Sequence, residues 1–337
     1  MSCSGVCFKS PPVTHKQDGH PRRVGFELEF SGLSLEQTAE VLKTSLGGTL
    51  KKKTAVEWIF HQEKLGDFKL ELDWSYLKRL AEENEQDKPN EHWAGLLNQA
   101  WVDFLAQGAM LLVPVEIACP PIVFTDVEAL LPMVEALRNA GAVGTEESLL
   151  AAYGVHVNTE IPGLDAETLL SYLKAFALLQ WWLVDAHEVD VTRKISPYID
   201  LYPEAYLKKL LSQPKPSMEQ IVADYLEYNP SRNRALDLLP MLAHIDSIAV
   251  HRVVNDPKVQ PRPAFHYRLP NCRIDRKNWS LSEAWNKWWI VEQLAYRPAD
   301  LDKLGADFLH ADRLVIGVNR SDWVEYMDRW LKGNEWV

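Results

Sequence analysis

The sequence predicts an α+β fold, a curved sheet with one apolar side and helices flanking it. Two observations carry the prediction. Short segments in which apolar and charged residues alternate recur along the chain, and helical segments separate them without a regular strand–helix–strand rhythm. With 337 residues, 47% hydrophobic and 25% charged, the chain also has ordinary soluble composition and enough apolar material for a sizeable core.

The first strand is "RRVGFELEF" at 22–30. Its period of two puts Val24, Phe26, Leu28 and Phe30 on one face and Glu27 and Glu29 on the other. Ser34 and Gln37 have the spacing of a capping box, opening a helix that Gly47 and Gly48 stop. Strands are expected at 55–61 and 67–73, an exposed loop at 83–92, an amphipathic helix at 92–109 and a strand at 110–118. Thr125 and Glu128 read as a second capping box. A strand at 153–161 precedes a long helix at 164–187, and its run "AFALLQWWLVDA" is too short to span a bilayer and reads as a buried helix. The remainder is mostly helical apart from a strand at 264–270. Residues 1–20 are expected to form a flexible arm, and 21–337 a single domain with a largely helical C-terminal half.

A formal charge of −11 argues against a nucleic-acid or membrane-surface partner, which needs a broad basic face. Local basic spots at 51–53 ("KKK") and 232–234 ("RNR") need local explanations. Four scattered cysteines do not make a disulfide framework, and with no secretory leader pattern a cytoplasmic location is expected. Cys3, Cys7, His15 and His20 match no standard zinc spacing. The thirteen tryptophans, including Trp181–Trp182 and Trp288–Trp289, are expected in the core.

The polar faces of the strands carry one kind of group. Glu71 and Asp73 oppose Leu70 and Leu72; Glu116 sits between Val115 and Ile117; His156, Asn158 and Glu160 oppose Val155 and Val157; His266 and Arg268 oppose Phe265 and Tyr267. A merely wet face would carry more lysine, serine and threonine. So many carboxylate oxygens suit Mg2+ or Mn2+ rather than zinc. Magnesium usually shares its sphere with phosphate oxygens, so cationic clamps are expected, with Arg268, Arg193, Arg232 and Arg234 as candidates. For the last pair, ionic pairing of Arg234 with Asp237 at i,i+3 on a helix is the competing reading. Neither a P-loop nor a dinucleotide fingerprint is present.

The blocks "VGFELEF", "ELDWS", "VEIACPPI", "GVHVNTE" and "YRLPN" resemble, in the same order, those of the amidoligase enzymes of the glutamine synthetase and glutamate–cysteine ligase superfamily. The resemblance runs from about residue 22 to 297. It implies a carboxylate–amine ligase on a curved, mainly antiparallel, glutamine synthetase-like sheet, using ATP and two or more Mg2+ ions to join small-molecule or peptide carboxylates and amines. By motif position it places Glu27, Glu29, Glu71, Glu116 and His156 among the metal or phosphate-site residues and Arg268 on phosphate. Arg193 and Asn158 are further candidates for holding the nucleotide. Superfamily members often carry a metal-binding glutamate two residues before that arginine, where this chain has His266. The chemistry implied is transfer of the ATP γ-phosphoryl group to a carboxylate and attack by an amine on the acyl phosphate. A metal-dependent hydrolase and a catalytically silent binding module remain the alternatives.

Overall fold

The computed structural model describes residues 7–72, 114–145, 153–190, 193, 199–213, 215–312 and 317–337. The predicted loop at 83–92, the helix at 92–109, the first part of the strand at 110–118 and Asp73 lie outside the described residues.

Among the described residues, nine strands form one open, antiparallel sheet. In chain order they are β1 (Arg23–Phe30), β2 (Thr49–Lys52), β3 (Glu57–Gln62), β4 (Gly66–Leu72), β5 (Val115–Ala118), β6 (Ile122–Val123), β7 (Val155–Thr159), β8 (Leu236–Asp237) and β9 (His266–Tyr267). Their spatial order is β2-β3-β4-β5-β1-β7-β9-β8, with β6 pairing the start of β1. The alternation read from the sequence sets the two faces. Val24, Phe26, Leu28 and Phe30 are fully buried, as are Phe68, Leu70, Val115, Ile117, Val155 and Val157. The edge strand β2 was not foreseen, and it explains the lysine run. Lys52 lies 3.9 Å over the Trp58 ring and Lys53 pairs with Glu57 at 3.3 Å, so the charged side chains blunt an open edge.

Helices cover the apolar face. α1 (Leu35–Leu46) opens with the foreseen capping box, Ser34 Oγ accepting from Gln37 N at 3.2 Å and Gln37 Oε1 from Ser34 N at 2.8 Å. It stops where Gly47 takes a φ of +66°. The second capping box does not form. Residues Phe124–Leu130 make a 3-10 helix whose cap, Val123, has no side-chain acceptor, because β6 runs up to that residue. The α-helix α2 (Leu131–Asn139) follows with Pro132 in its first turn. α3 (Ala166–Ala186) is capped by Asp165 and buries 15 of its 21 residues, so it is a core element rather than an amphipathic surface helix. Around it lie α4 (Glu204–Ser212), α5 (Met218–Tyr228), α6 (Leu239–Ile245), α7 (Ser247–Val253), α8 (Leu281–Ala295), α9 (Pro298–Ala311) and α10 (Arg320–Gly333). α4, α5, α8, α9 and α10 all pack on α3. Trp181, Trp182 and Trp288 are buried here, as expected, and so is Trp285, whereas Trp289 is only partly buried at the edge of the core. Among the described residues no helix is long and apolar enough to cross a membrane.

Residues 7–20 differ from the loose arm expected, because α8 offers them a row of polar partners. Lys9 N donates to Asn286 Oδ1 at 2.8 Å, and the indoles of Trp285 and Trp289 donate to the carbonyls of Lys9 and Ser10, both at 2.7 Å. Just beyond, Arg22 makes a two-pronged, solvent-free ion pair with Glu292 at 2.9 and 2.7 Å and also donates to Val13 O. This ties the entry of β1 to α8, and so fixes the sheet that carries the site.

Candidate active site

Strand register lines up four carboxylates. Glu57, Glu71, Glu116 and Glu29 stand directly opposite one another across β3, β4, β5 and β1. Like charges on facing rungs repel, so such a row requires compensation. Lys69, on the same face, lies 2.5 Å from Glu71 Oε2 and supplies part of it. This corrects the reading of that face as almost free of lysine, since alternation from Glu71 already places Lys69 there.

Two residues back along β1, the line changes character. Glu27 is in register with His156 on β7, and His266 on β9 is in register with Asp237 on β8. The Glu27 carboxylate accepts from His156 Nδ1 at 2.6 Å and from Asn158 Nδ2 at 3.0 Å, and faces His266 Nε2 at 3.4 Å. The other ring nitrogen of His156 lies 3.7 Å from Glu29 Oε1, and Glu29 Oε2 accepts from the backbone of Gly154 at 2.7 Å. Potential ligand atoms of Glu27, His156 and His266 all lie within 4.8 Å of one another. Burial pushes Glu27 up, but His266 and His156 outweigh it and hold its carboxyl well below the usual range. Burial pulls His156 down, against its bonded carboxylates. The resting pair is therefore a carboxylate and a neutral imidazole, the protonation state in which both can donate lone pairs.

Cationic groups gather on the other flank. Arg262 donates to Asn158 Oδ1 at 3.1 Å, Arg268 donates to the Arg232 carbonyl at 3.2 Å, and Arg232 Nε is 3.6 Å from Asp237 Oδ2. Arg268 is close enough for its charge to oppose protonation of His156. Arg193 is buried, and its guanidinium donates to the carbonyls of Arg268, Leu269 and Pro270 at 2.6–2.8 Å. It also donates to Asn271 Oδ1 at 3.2 Å, and so anchors the segment that carries Arg268. Arg234 points elsewhere, donating to the Leu201 and Tyr228 carbonyls, with Asp200 at 3.9 Å. The alternative pairing of Arg234 with Asp237 also fails, because Asp237 lies in a strand and not one helical turn away.

The structure thus gathers Glu27, Glu29, Glu71, Glu116, His156, Asn158, His266 and Arg268 on one face, brings Arg232 in through Asp237, places Arg193 close to Glu29 with its donors largely taken by the chain, and leaves Arg234 out. Glu57, Lys69, Asp237 and Arg262 were missed. A cavity of about 250 Å³ bounded by Lys16, His20, Arg23 and Glu160 opens near the beginning of β1, away from the Glu27 cluster.

A divalent cation fits this donor set. Two imidazoles and a carboxylate converge beside a carboxylate row. Residues 20–290 match the family model described as "Putative amidoligase enzyme". The chain belongs to the amidoligase family. The match in this amidoligase takes in all nine strands and ends inside α8, leaving α9 and α10 beyond it. No curated protein and no solved structure shows a significant match to the amidoligase chain.

Proposed function

We propose that this amidoligase is an ATP- and Mg2+- or Mn2+-dependent carboxylate–amine ligase acting through an acyl phosphate, on a sheet of the glutamine synthetase type. The observation that carries the reading is the position of Glu27, hydrogen-bonded to His156 and facing His266, between a carboxylate row on one flank and Arg268, Arg262 and Arg232 on the other. A triphosphate needs both flanks, acids to hold its cations and arginines to hold its oxygens.

Glu27, Glu29, His156 and His266 would hold the cation nearest the transfer, with Glu71, Glu116 and Glu57 available to a further ion. A bound divalent cation would offset the negative charge spread over the transferring phosphoryl group. Arg268 orients phosphate oxygens from the opposite side, and Arg193 keeps it there by holding the 268–270 carbonyls. A substrate carboxylate oxygen then bonds to the γ-phosphorus as the bond to ADP breaks. The amine nitrogen next attacks the acyl carbon, loses a proton and expels inorganic phosphate, leaving an amide or isopeptide.

Incubation with ATP, Mg2+ or Mn2+ and a panel of amino acids, short peptides, polyamines and peptidoglycan fragments, followed by mass spectrometry, should give products lighter than the summed substrates by one water, with one ADP per product. Cleavage of a panel member without nucleotide would replace the ligase reading with a hydrolase.

A further inference from the structure

His266 shows an unusual economy of contacts. It is 2% exposed, its Nε2 faces Glu27 Oε2 at 3.4 Å and His156 Nδ1 at 3.3 Å, and its Nδ1 has no hydrogen-bond partner. Asp237, directly opposite on β8, is wholly buried. Its Oδ1 accepts from the backbone of Leu239 at 3.0 Å, while Oδ2 has no hydrogen-bond partner and lies 3.7 Å from that same Nδ1. Two buried, unsatisfied groups of complementary type thus face each other just beyond bonding distance. Unpaired buried polar atoms are rare in folded proteins, and each calls for a role.

Resting on the cation reading above, we propose that Asp237 is a positioning residue for the cation centre, holding His266 with Nδ1–H directed at Oδ2 and the Nε2 lone pair directed at the site shared with Glu27 and His156. A small rotation of the imidazole closes the 3.7 Å gap and satisfies both atoms at once. Carboxylate partners of ligand histidines fix the tautomer and raise the basicity of the ligating nitrogen. They also answer the departure at this position. Where the resemblance implies a glutamate, this chain places an imidazole backed by a buried carboxylate, so the negative charge is kept one residue further out. Arg232 Nε lies 3.6 Å from Oδ2, so the buried carboxylate also has a cationic neighbour.

The test is a Mn2+ titration followed by electron paramagnetic resonance of free Mn2+, on wild type, Asp237→Asn, His266→Gln and the double variant. Asparagine retains the Oδ1 contact to Leu239, so the fold is expected to persist. Positioning through His266 predicts a Kd raised roughly 10- to 100-fold by Asp237→Asn, and little further change when the same substitution is added to His266→Gln. Equal losses in both backgrounds, or an unchanged Kd, would overturn the positioning role and leave the cation centre standing. A wild type that leaves all Mn2+ free would overturn the centre and this proposal together. If Asp237→Asn does not fold, imidazole 15N shifts of the wild type saturated with Mg2+ decide: a proton on Nδ1 of His266 is expected, and one on Nε2 overturns the assignment.

Discussion

Oε2 of Glu27 lies 2.6 Å from Nδ1 of His156, and the two residues are direct partners across β1 and β7. Asn158 donates to the other oxygen of the carboxylate at 3.0 Å. Glu27→Gln therefore removes a charge-assisted bond and presents an amide N–H₂ where an acceptor is needed. A stability loss of about 1.5–3 kcal/mol is expected, and the rise in melting temperature that the proposed function predicts for wild type with Mg2+ and ATP should be absent from the variant. Glu29→Gln should be milder in stability, because an amide oxygen can still accept from Gly154 N, yet equally damaging to ADP release. Urea titration and ADP release on the same preparations check both. Wild-type turnover in either variant would return these glutamates to a solvated strand face.

Gly154 is small for a local reason. A Cβ there would lie 2.7 Å from Arg193 Nη2 and 3.3 Å from Glu29 Oε2. Arg193 cannot easily yield, since its donors are committed to three consecutive carbonyls. Gly154→Ala should cost on the order of 1–3 kcal/mol by overpacking and lower turnover through displaced Glu29 and Arg268. A melting curve and activity both matching wild type would show that Arg193 is free to move.

The alternation of β1, β4, β5, β7 and β9 was legible because each is half apolar and half charged, and the period of two then assigns every side chain to a face. Glu57 and Lys69 obeyed the same rule and were readable from Trp58–Phe60 and Leu70. Asp237 was not. Both β8 and β9 are only two residues long, but "FHYRL" keeps alternating on either side of β9 whereas "ALDLLP" looks like a helix entry, so only the fold reveals that Asp237 faces His266. Arg193 illustrates a different limit, because sequence shows a guanidinium but not the backbone carbonyls that consume it.

Two buried histidines should make the fold acid-sensitive. Burial pulls His187 well below its ordinary value, helped by Lys287, Arg193 and Arg273, and burial also pulls His156 down. Between their folded values and about 6.5 the unfolded chain holds more protons than the folded one. The stability they give is complete above about pH 6.5 and is lost as pH falls. Each contributes a slope of up to about 1.4 kcal/mol per pH unit. His187→Gln, which keeps a polar group beside the Tyr267 hydroxyl that His187 meets at 2.6 Å, should lessen the loss between pH 6.5 and 5. Denaturant unfolding across that range measures it, and an undiminished slope would assign the effect to other groups. Glu27, held low as well, adds a further loss only below about pH 4.3.

The substitution His266→Glu, which puts a carboxylate in place of the imidazole, has a consequence that only the structure exposes. A carboxylate there would stand opposite Asp237, whose Oδ2 is 3.7 Å from the present imidazole and fully buried. Two carboxylates so close and so dry cannot both stay ionised without a large cost. The single variant should therefore be destabilised and weakly active. Pairing it with Asp237→Asn removes the repulsion and moves the negative charge to the position that faces Glu27 and His156, where the proposed function puts the cation. Harder oxygen donation favours Mg2+ relative to Mn2+, compared with an imidazole. The double variant should regain stability and show a lower ratio of Mn2+- to Mg2+-supported ADP release than wild type. Melting curves and the activity ratio, both at pH 8 where an imidazole is neutral, report the two halves separately. A double variant that recovers stability with an unchanged ratio would place residue 266 outside the cation's reach.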